Sequence, residues 1–192
     1  EEDCGGVSTL IKYYQNGKLI RASLPYKDGF IYKEILGRRV EVSTCTILLK
    51  RCYLDKTGYF DESLTRHQEI QLLAYFTKNY KIKLLKEYLT CVDITDNENN
   101  PNTKQIYFIK NNFFKSVQPL LQNLSIKEIR QIYALHDFET AFFEFKKGSK
   151  IKALKQGVRI FSSIKVLIWS LTRTINRIIS RVLCRFLVKN NK

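Results

Sequence analysis

The sequence predicts an α/β fold, with strands and helices mixed to about residue 100 and helices alone after it. Two observations lead to this prediction. Turn signals separate β-rich runs in the first hundred residues, beginning with the hairpin signal Asn16-Gly17. Beyond Pro101 the pattern is helical, and the capping box Ser125-Ile-Lys-Glu128 opens a helix expected to run to about Lys146.

The first elements are two strands, a short helix and a third strand. Strands over 7–14 and 18–23 flank the Asn-Gly turn, because that pair favours the positive φ angles of a two-residue hairpin loop. Asp28 is expected to cap a short helix that ends at Gly37. The run 44–50 (TCTILLK) has a continuous apolar centre, which is typical of a buried strand.

A helix from about His67 to Asn79, a strand over 82–92 and a polar loop over 93–102 complete the α/β portion. The loop is acidic, but such Asx-rich segments are usually solvated turns rather than metal sites. Gly148 separates the long helix from another helical stretch, which Gly157 is expected to break. The expected apolar face of the helix over 67–79 comprises Ile70, Leu72, Leu73 and Phe76.

Charge is distributed unevenly along the chain. The formal net charge is +15, yet residues 146–192 hold 13 Lys or Arg and no Asp or Glu. The other 20 basic residues face all 18 acidic ones, so the body is nearly neutral. This asymmetry argues against a uniformly basic nucleic-acid-binding domain and favours a specialised terminal segment.

That segment, 159–192, has the pattern of a long amphipathic helix, because apolar residues recur every three or four positions opposite a row of arginines. Its longest uncharged run is far shorter than the ~20 residues of a membrane span. We expect it to lie in the headgroups of an anionic membrane; packing on the body and nucleic-acid binding are the alternatives. The expected membrane-binding residues are Phe161, Trp169, Arg173, Arg177, Arg181 and Arg185.

Two features concern the cell compartment and the start of the chain. The five cysteines are odd in number and lack a C-x-x-C pair, so we expect free thiols in a reducing compartment. The chain contains no methionine, and its first residues lack the pattern of a signal peptide. We therefore expect the downstream part of a longer protein.

Residues 58–73 (GYFDESLTRHQEIQLL) concentrate charged side chains at the start of a predicted helix. This stretch, together with the preceding hairpin, the short helix ending in Gly and the 43–51 segment, resembles the C-terminal half of a bacterial family 2 glycosyltransferase of the GT-A fold. Members of the polysaccharide-assembly branch commonly read G-x-F-D-E-x-L and then R-H-Q-D. The resemblance covers roughly residues 5–100. It departs from the family at Glu69, where Asp is usual, and at Gln71, where an acidic residue is usual.

The resemblance implies three segments. Residues 1–100 would be the acceptor-side half of a GT-A (Rossmann-like) domain, 101–158 a helical extension and 159–192 the membrane-associating helix. The family's donor half, with the D-x-D motif that binds a divalent metal (Mg or Mn) and the sugar diphosphate, has no counterpart before the hairpin. The metal ligands and most of the nucleotide-sugar site are therefore expected upstream, and residues 1–192 alone are expected to be inactive.

Within the stretch, the resemblance implies that Glu69 is the general base. Sugar transfer to a hydroxyl requires removal of its proton, and a carboxylate on the first turn of a helix is held rigidly enough to accept it. Its extra methylene relative to Asp moves the carboxylate by ~1.5 Å. Helix-start stabilisation is the alternative role. The expected substrate-binding residues are Asp61 and Glu62 for acceptor hydroxyls, Arg66 and His67 for diphosphate or carboxylate charge, and Gln68.

The expected function is thus transfer of a sugar from a nucleotide-sugar donor to a lipid-linked or polysaccharide acceptor. The enzyme would be inverting and peripheral, at the cytoplasmic face of the bacterial cell membrane. Two alternatives stay open: a non-catalytic remnant that binds a glycan or a partner at the membrane, and a basic membrane- or nucleic-acid-binding protein without sugar chemistry.

Overall fold

A computed structural model describes residues 4–95, 101–161 and 168, and shows a mixed α/β protein. Its strands are β1 (Cys4–Gln15), β2 (Lys18–Ala22), β3 (Ile47–Leu49) and β4 (Lys81–Asp93). β1 is the central strand. It pairs antiparallel with β3 and β2 along one side and parallel with β4 along the other.

The hairpin between β1 and β2 confirms the first predicted turn. Asn16 and Gly17 both have positive φ, 49° and 71°, as a two-residue loop of this kind requires. Tyr13 pairs with Arg21 across the two strands, and the Arg21 guanidinium lies 3.8 Å from the centre of the Tyr13 ring. Glu41 accepts hydrogen bonds from both side chains, so the hairpin is tied to the segment that precedes β3.

Two consecutive glycines allow β1 to approach its neighbours closely. A Cβ on Gly5 would lie 2.6 Å from the Cβ of Tyr80, and a Cβ on Gly6 would lie 2.6 Å from a methyl carbon of Leu49. Neither position has room for a side chain. The start of β1 is therefore packed directly against the end of the helix before β4 and against β3.

The two longest helices of the described residues, of 14 and 22 residues, follow the α/β portion. Capping confirms the predicted start of the longest one, since the Ser125 hydroxyl accepts a hydrogen bond from the Glu128 amide at 3.3 Å and the Ser125 amide donates to Glu128 at 2.9 Å. The helices are α1 (Tyr32–Leu36), α2 (Arg51–Thr57), α3 (Gln68–Asn79), α4 (Thr103–Ser116), α5 (Gln118–Leu121), α6 (Ile126–Lys147) and α7 (Lys150–Phe161).

Three local predictions are wrong. Asp28 does not cap the short helix, because α1 begins at Tyr32 and the Asp28 carboxylate instead accepts a hydrogen bond from the Leu84 amide at 3.2 Å. The 44–50 segment is not a buried strand. It opens as a 3₁₀ turn, and Leu48 in the three-residue β3 is 76% exposed. Gly157 does not break α7, which continues through it.

The remaining predictions in the α/β portion concern a strand, a helix and a polar loop. The strand over 82–92 and the helix over 67–79 are confirmed, and the predicted apolar face of α3 is buried at all four positions. α2 was not predicted, because no apolar periodicity accompanies it and none of its residues is buried. Half of the predicted 93–102 loop, residues 96–100, lies outside the described residues.

One hydrophobic core joins the α/β portion to the helices after it. Leu36 from α1 and Phe76 from α3 are completely buried, as are Phe113 from α4 and Val117 at its end. The core thus crosses the domain boundary predicted near residue 100. Because α3 is anchored on both sides, its first turn has a rigid support.

Candidate functional site

The charged stretch forms the connection between α2 and α3. Gly58 ends α2 with φ 97°, a conformation that favours glycine. The Asp61 carboxylate then accepts hydrogen bonds from the Ser63 amide at 3.0 Å and the Ser63 hydroxyl at 2.6 Å, so the following residues turn back. Leu64, only 3% exposed, anchors this turn in the protein interior.

The predicted site residues differ in exposure. Glu62 is exposed, whereas Arg66, Gln68 and Glu69 are half-buried. Glu69 lies on the first turn of α3, where the helix dipole stabilises a carboxylate. Gln71, the residue in place of the family's second acidic group, has a buried side-chain oxygen without a hydrogen-bond partner in the described part of the chain.

Asp61 is also half-buried, and it lies near α3. Burial, and then the charge of Asp61, raises the pKa of Tyr75 in the middle of that helix. The Tyr75 hydroxyl donates a hydrogen bond to the backbone oxygen of Ser116 at 2.9 Å, which ties α3 to the end of α4. The structure therefore places Asp61 near the middle of α3, on the side of Tyr75.

His67 occupies the N-cap position of α3 in the left-handed conformation, with φ 68° and ψ 17°. Its side chain makes no capping hydrogen bond, and its Nδ1 is buried without a partner among the described residues. The ring meets the edge of Phe113, with centroids 5.4 Å apart. Burial foremost, and then the charges of Arg38 and Lys110, lower its pKa to about 3. A ring that is neutral near pH 7 cannot offset a diphosphate, which leaves Arg66 as the cation of this stretch.

An ion cluster that sequence reasoning missed lies behind the start of α3. We call Arg38, Lys110, His136 and Glu139 the buried ion cluster. Lys110 Nζ donates to His136 Nδ1 at 2.7 Å and to Glu139 Oε2 at 2.8 Å, and Arg38 lies 3.5 Å from the other Glu139 oxygen. His136 Nε2 donates in turn to the backbone oxygen of Leu36 at 2.8 Å. The cluster connects the end of α1 with α4 and α6.

Burial sets the protonation of this cluster. It is the main cause that lowers the pKa of Lys110, and it lowers the pKa of His136 well below the ordinary value, with Lys110 the next cause. Phe113 contacts both histidine rings, each at 5.4 Å between centroids, so it separates the cluster from His67. His136 is 2% exposed. No local pattern signals the cluster, since Lys110 and His136 are 26 residues apart.

The described residues contain no group of three or more His, Cys, Asp or Glu side chains arranged to hold a metal ion. The divalent ion implied by the family resemblance thus has no ligand set in this part of the chain. Its expected ligands upstream stay a prediction. Cys4, Cys45, Cys52 and Cys91 are free thiols.

The predicted membrane-binding residues fall at the end of the described region or beyond it. Phe161 is the last residue of α7. Trp169, Arg173, Arg177, Arg181 and Arg185 lie outside the described residues. In the part of the chain that the structure covers, no helix is both long and apolar enough to cross a bilayer.

Comparison of the chain with protein families, curated proteins and solved structures gave no match. Function therefore has to be argued from the site itself.

Proposed function

We propose that the chain supplies the acceptor side of an inverting GT-A glycosyltransferase, which transfers a sugar from a nucleotide-sugar donor to a lipid-linked or polysaccharide acceptor. The observation that carries this proposal is the setting of Glu69. Glu69 is half-buried on the first turn of α3, and the adjoining Ile70 and Leu73 are buried in the core. A general base needs such a fixed position next to an open surface.

In the proposed reaction, Glu69 accepts the proton of an acceptor hydroxyl as its oxygen attacks the anomeric carbon. The bond from that carbon to the nucleoside diphosphate breaks, and the configuration inverts. Asp61 and Glu62 would bind neighbouring hydroxyls of the acceptor, while Gln68 borders the site and Arg66 offsets negative charge. Holding the hydroxyl and the carboxylate together removes much of the entropic cost of the step.

The donor and its divalent metal are assigned to a segment outside these 192 residues, because no D-x-D motif precedes the hairpin. We propose a peripheral location at the cytoplasmic face of the bacterial membrane, where lipid-linked acceptors are found. The cationic residues 159–192 would attach the protein there.

A binding experiment tests the acceptor side directly. The 192-residue chain is presented to an array of bacterial oligosaccharides and, separately, to nucleotide sugars in a hydrolysis assay. We expect selective glycan binding that weakens in the double variant Asp61→Asn/Glu62→Gln and persists in Glu87→Gln, an exposed carboxylate on β4. We expect no turnover above a heat-killed control.

Two outcomes would contradict the proposal. If no glycan binds, or if the Asp61/Glu62 variant binds as well as the Glu87 control, the stretch is not an acceptor wall. Turnover of a nucleotide sugar by the 192 residues would show that the donor site lies within them.

A further inference from the structure

α7 packs on the protein with its small and polar side. Ala153 is 8% exposed, and the Gln156 amide donates a hydrogen bond to the Tyr107 hydroxyl of α4 at 2.7 Å. Two large aliphatic residues of the same helix, Ile151 and Leu154, are 70% and 72% exposed. A surface helix of a globular protein normally does the reverse and buries its aliphatic residues.

The helical repeat places these residues on different sides. At 3.6 residues per turn, Ile151 and Leu154 lie about 60° apart, whereas Ala153 is roughly 100–160° from either of them. Lys150 and Leu154 are an i, i+4 pair, and so are Ile151 and Lys155. The two lysines therefore flank the aliphatic pair, and both are exposed. We call these four residues the α7 face.

The sequence around the α7 face carries one sign of charge. Lys146 and Lys152 are exposed as well, and the sequence from 145 to 161 contains no acidic residue. The preceding Glu144 is 3% exposed, and its carboxylate accepts a hydrogen bond from the Ser149 amide. At the end of α6, Phe145 adds an aromatic side chain that is 64% exposed.

We propose that the α7 face binds an anionic membrane, with Ile151 and Leu154 inserted among the lipid headgroups and the lysines extended toward lipid phosphates. An anionic bilayer covers aliphatic and cationic groups together, whereas nucleic acid would leave the aliphatic pair uncovered. A second copy of the chain would bring equal charges together across a two-fold interface. The inference deepens the membrane part of the proposed function, places membrane contact before residue 159, and is independent of sugar transfer.

Vesicle co-sedimentation of the full chain tests the α7 face. The probe is vesicles of phosphatidylcholine containing phosphatidylglycerol, with pure phosphatidylcholine for comparison. We expect the double variant Ile151→Gln/Leu154→Gln to bind the anionic vesicles about tenfold or more weakly, because two aliphatic side chains no longer leave water. The matched control is Leu48→Gln/Leu89→Gln, which changes sheet residues that are 76% and 63% exposed and should leave binding unchanged.

Unchanged vesicle binding by the α7 double variant, or an equal loss in the sheet control, would overturn the inference. A tail variant in which Arg173, Arg177, Arg181 and Arg185 are all changed to Gln separates the two membrane proposals. If only the tail variant loses binding, residues 159–192 act alone and the α7 face is not a membrane surface. A clear fall in melting temperature of the α7 variant would also overturn it, since the pair would then be covered within the chain. The inference would also be overturned if the α7 double variant lost self-association or RNA binding while its vesicle binding stayed intact.

Discussion

The only two histidines of the chain are both turned away from solvent, yet for different reasons. His136 is held in the buried ion cluster by hydrogen bonds at both ring nitrogens. His67 has an unpartnered Nδ1 among the described residues and packs on the edge of Phe113. In both, burial is the first cause of a lowered pKa. The sequence predicted His67 as a substrate-binding residue because it stands in a charged stretch, but burial depends on contacts with α4 that the stretch itself does not encode.

These lowered pKa values make stability depend on pH. A folded-state pKa below that of the unfolded chain means that the unfolded chain binds more protons, so stability rises with pH from about 3 to 6.5 for His67. Lowering the pH from about 7 to 5 should cost ~2 kcal/mol in the free energy of unfolding through His67, and His136 should add a loss of the same sign. His67→Asn, which tolerates the left-handed backbone, should remove the His67 part of this dependence. Denaturant titrations at several pH values measure this dependence. If the free energy of unfolding of His67→Asn changes with pH as steeply as that of the unchanged chain, the lowered pKa of His67 is contradicted.

The proposed role of Glu69 as general base is tested in the longer chain, with a donor half, that the proposed function requires. Glu69→Gln keeps the shape of the side chain but cannot accept a proton, so turnover should fall by about 10²–10⁴-fold with little loss of stability. Glu69→Asp should retain far more activity, because only the reach of the carboxylate changes. If Glu69 merely stabilises the helix start, Glu69→Gln should instead cost ~0.3–1 kcal/mol of stability and leave turnover near normal. That second result would falsify the base assignment.

At the scale of elements, local signals were sufficient where one residue pair determines the backbone. The Asn16-Gly17 turn and the Ser125 capping box are such cases, and both were predicted. The apolar centre of the 44–50 segment led to the wrong prediction of a buried strand. The strand pairs with β1 for only three residues, and Leu48 points outward. Strand burial depends on which face a neighbouring element covers, and a short apolar run does not reveal that.

The buried ion cluster should stabilise the contact of α4 with α6 more than surface charges do. Lys110→Met leaves His136 Nδ1 without its donor and removes the lysine that lies 2.8 Å from Glu139, so we expect a loss of ~2–4 kcal/mol in the free energy of unfolding. Lys33→Met is the matched control. It breaks an equally short Lys–Glu pair, 2.6 Å to Glu128, whose lysine side chain is 45% exposed against 13% for Lys110. Chemical denaturation compares the two, and equal losses would contradict a special role for burial.

At the scale of the whole molecule, charge separates along the chain. The positive excess lies in residues 146–192, and the described part of this region comprises the end of α6 and α7, which both carry exposed lysines. The helical stretch after Gly148 was predicted from sequence, whereas the amphipathic period predicted for 159–192 lies almost entirely outside the described residues. The side of α7 that faces the body was not predictable from sequence, since Ala153, rather than Ile151 or Leu154, is buried against the rest of the protein.

The tail arginines should govern the salt dependence of membrane binding. Each basic group near an anionic surface contributes ~1 kcal/mol at low salt. Changing Arg173, Arg177, Arg181 and Arg185 to Gln should therefore weaken vesicle binding by several powers of ten at most. The vesicle binding of this variant should also decrease less steeply as the salt concentration rises. Co-sedimentation over a salt series measures both effects. A variant that binds and responds to salt as the unchanged chain does would refute membrane attachment by the tail.

The central position of β1 also affects how the protein is made. β1 lies near the start of the chain, but its longest partner, β4, begins at Lys81 and runs parallel to it. One side of β1 must therefore stay unpaired on the ribosome until more than half of the α/β portion has been synthesised. At ~5–20 residues per second this exposes an open strand edge for several seconds. The long separation between partners also favours slow folding. Pulsed hydrogen exchange should find the amides of β1 that face β4 protected only after α3 has formed.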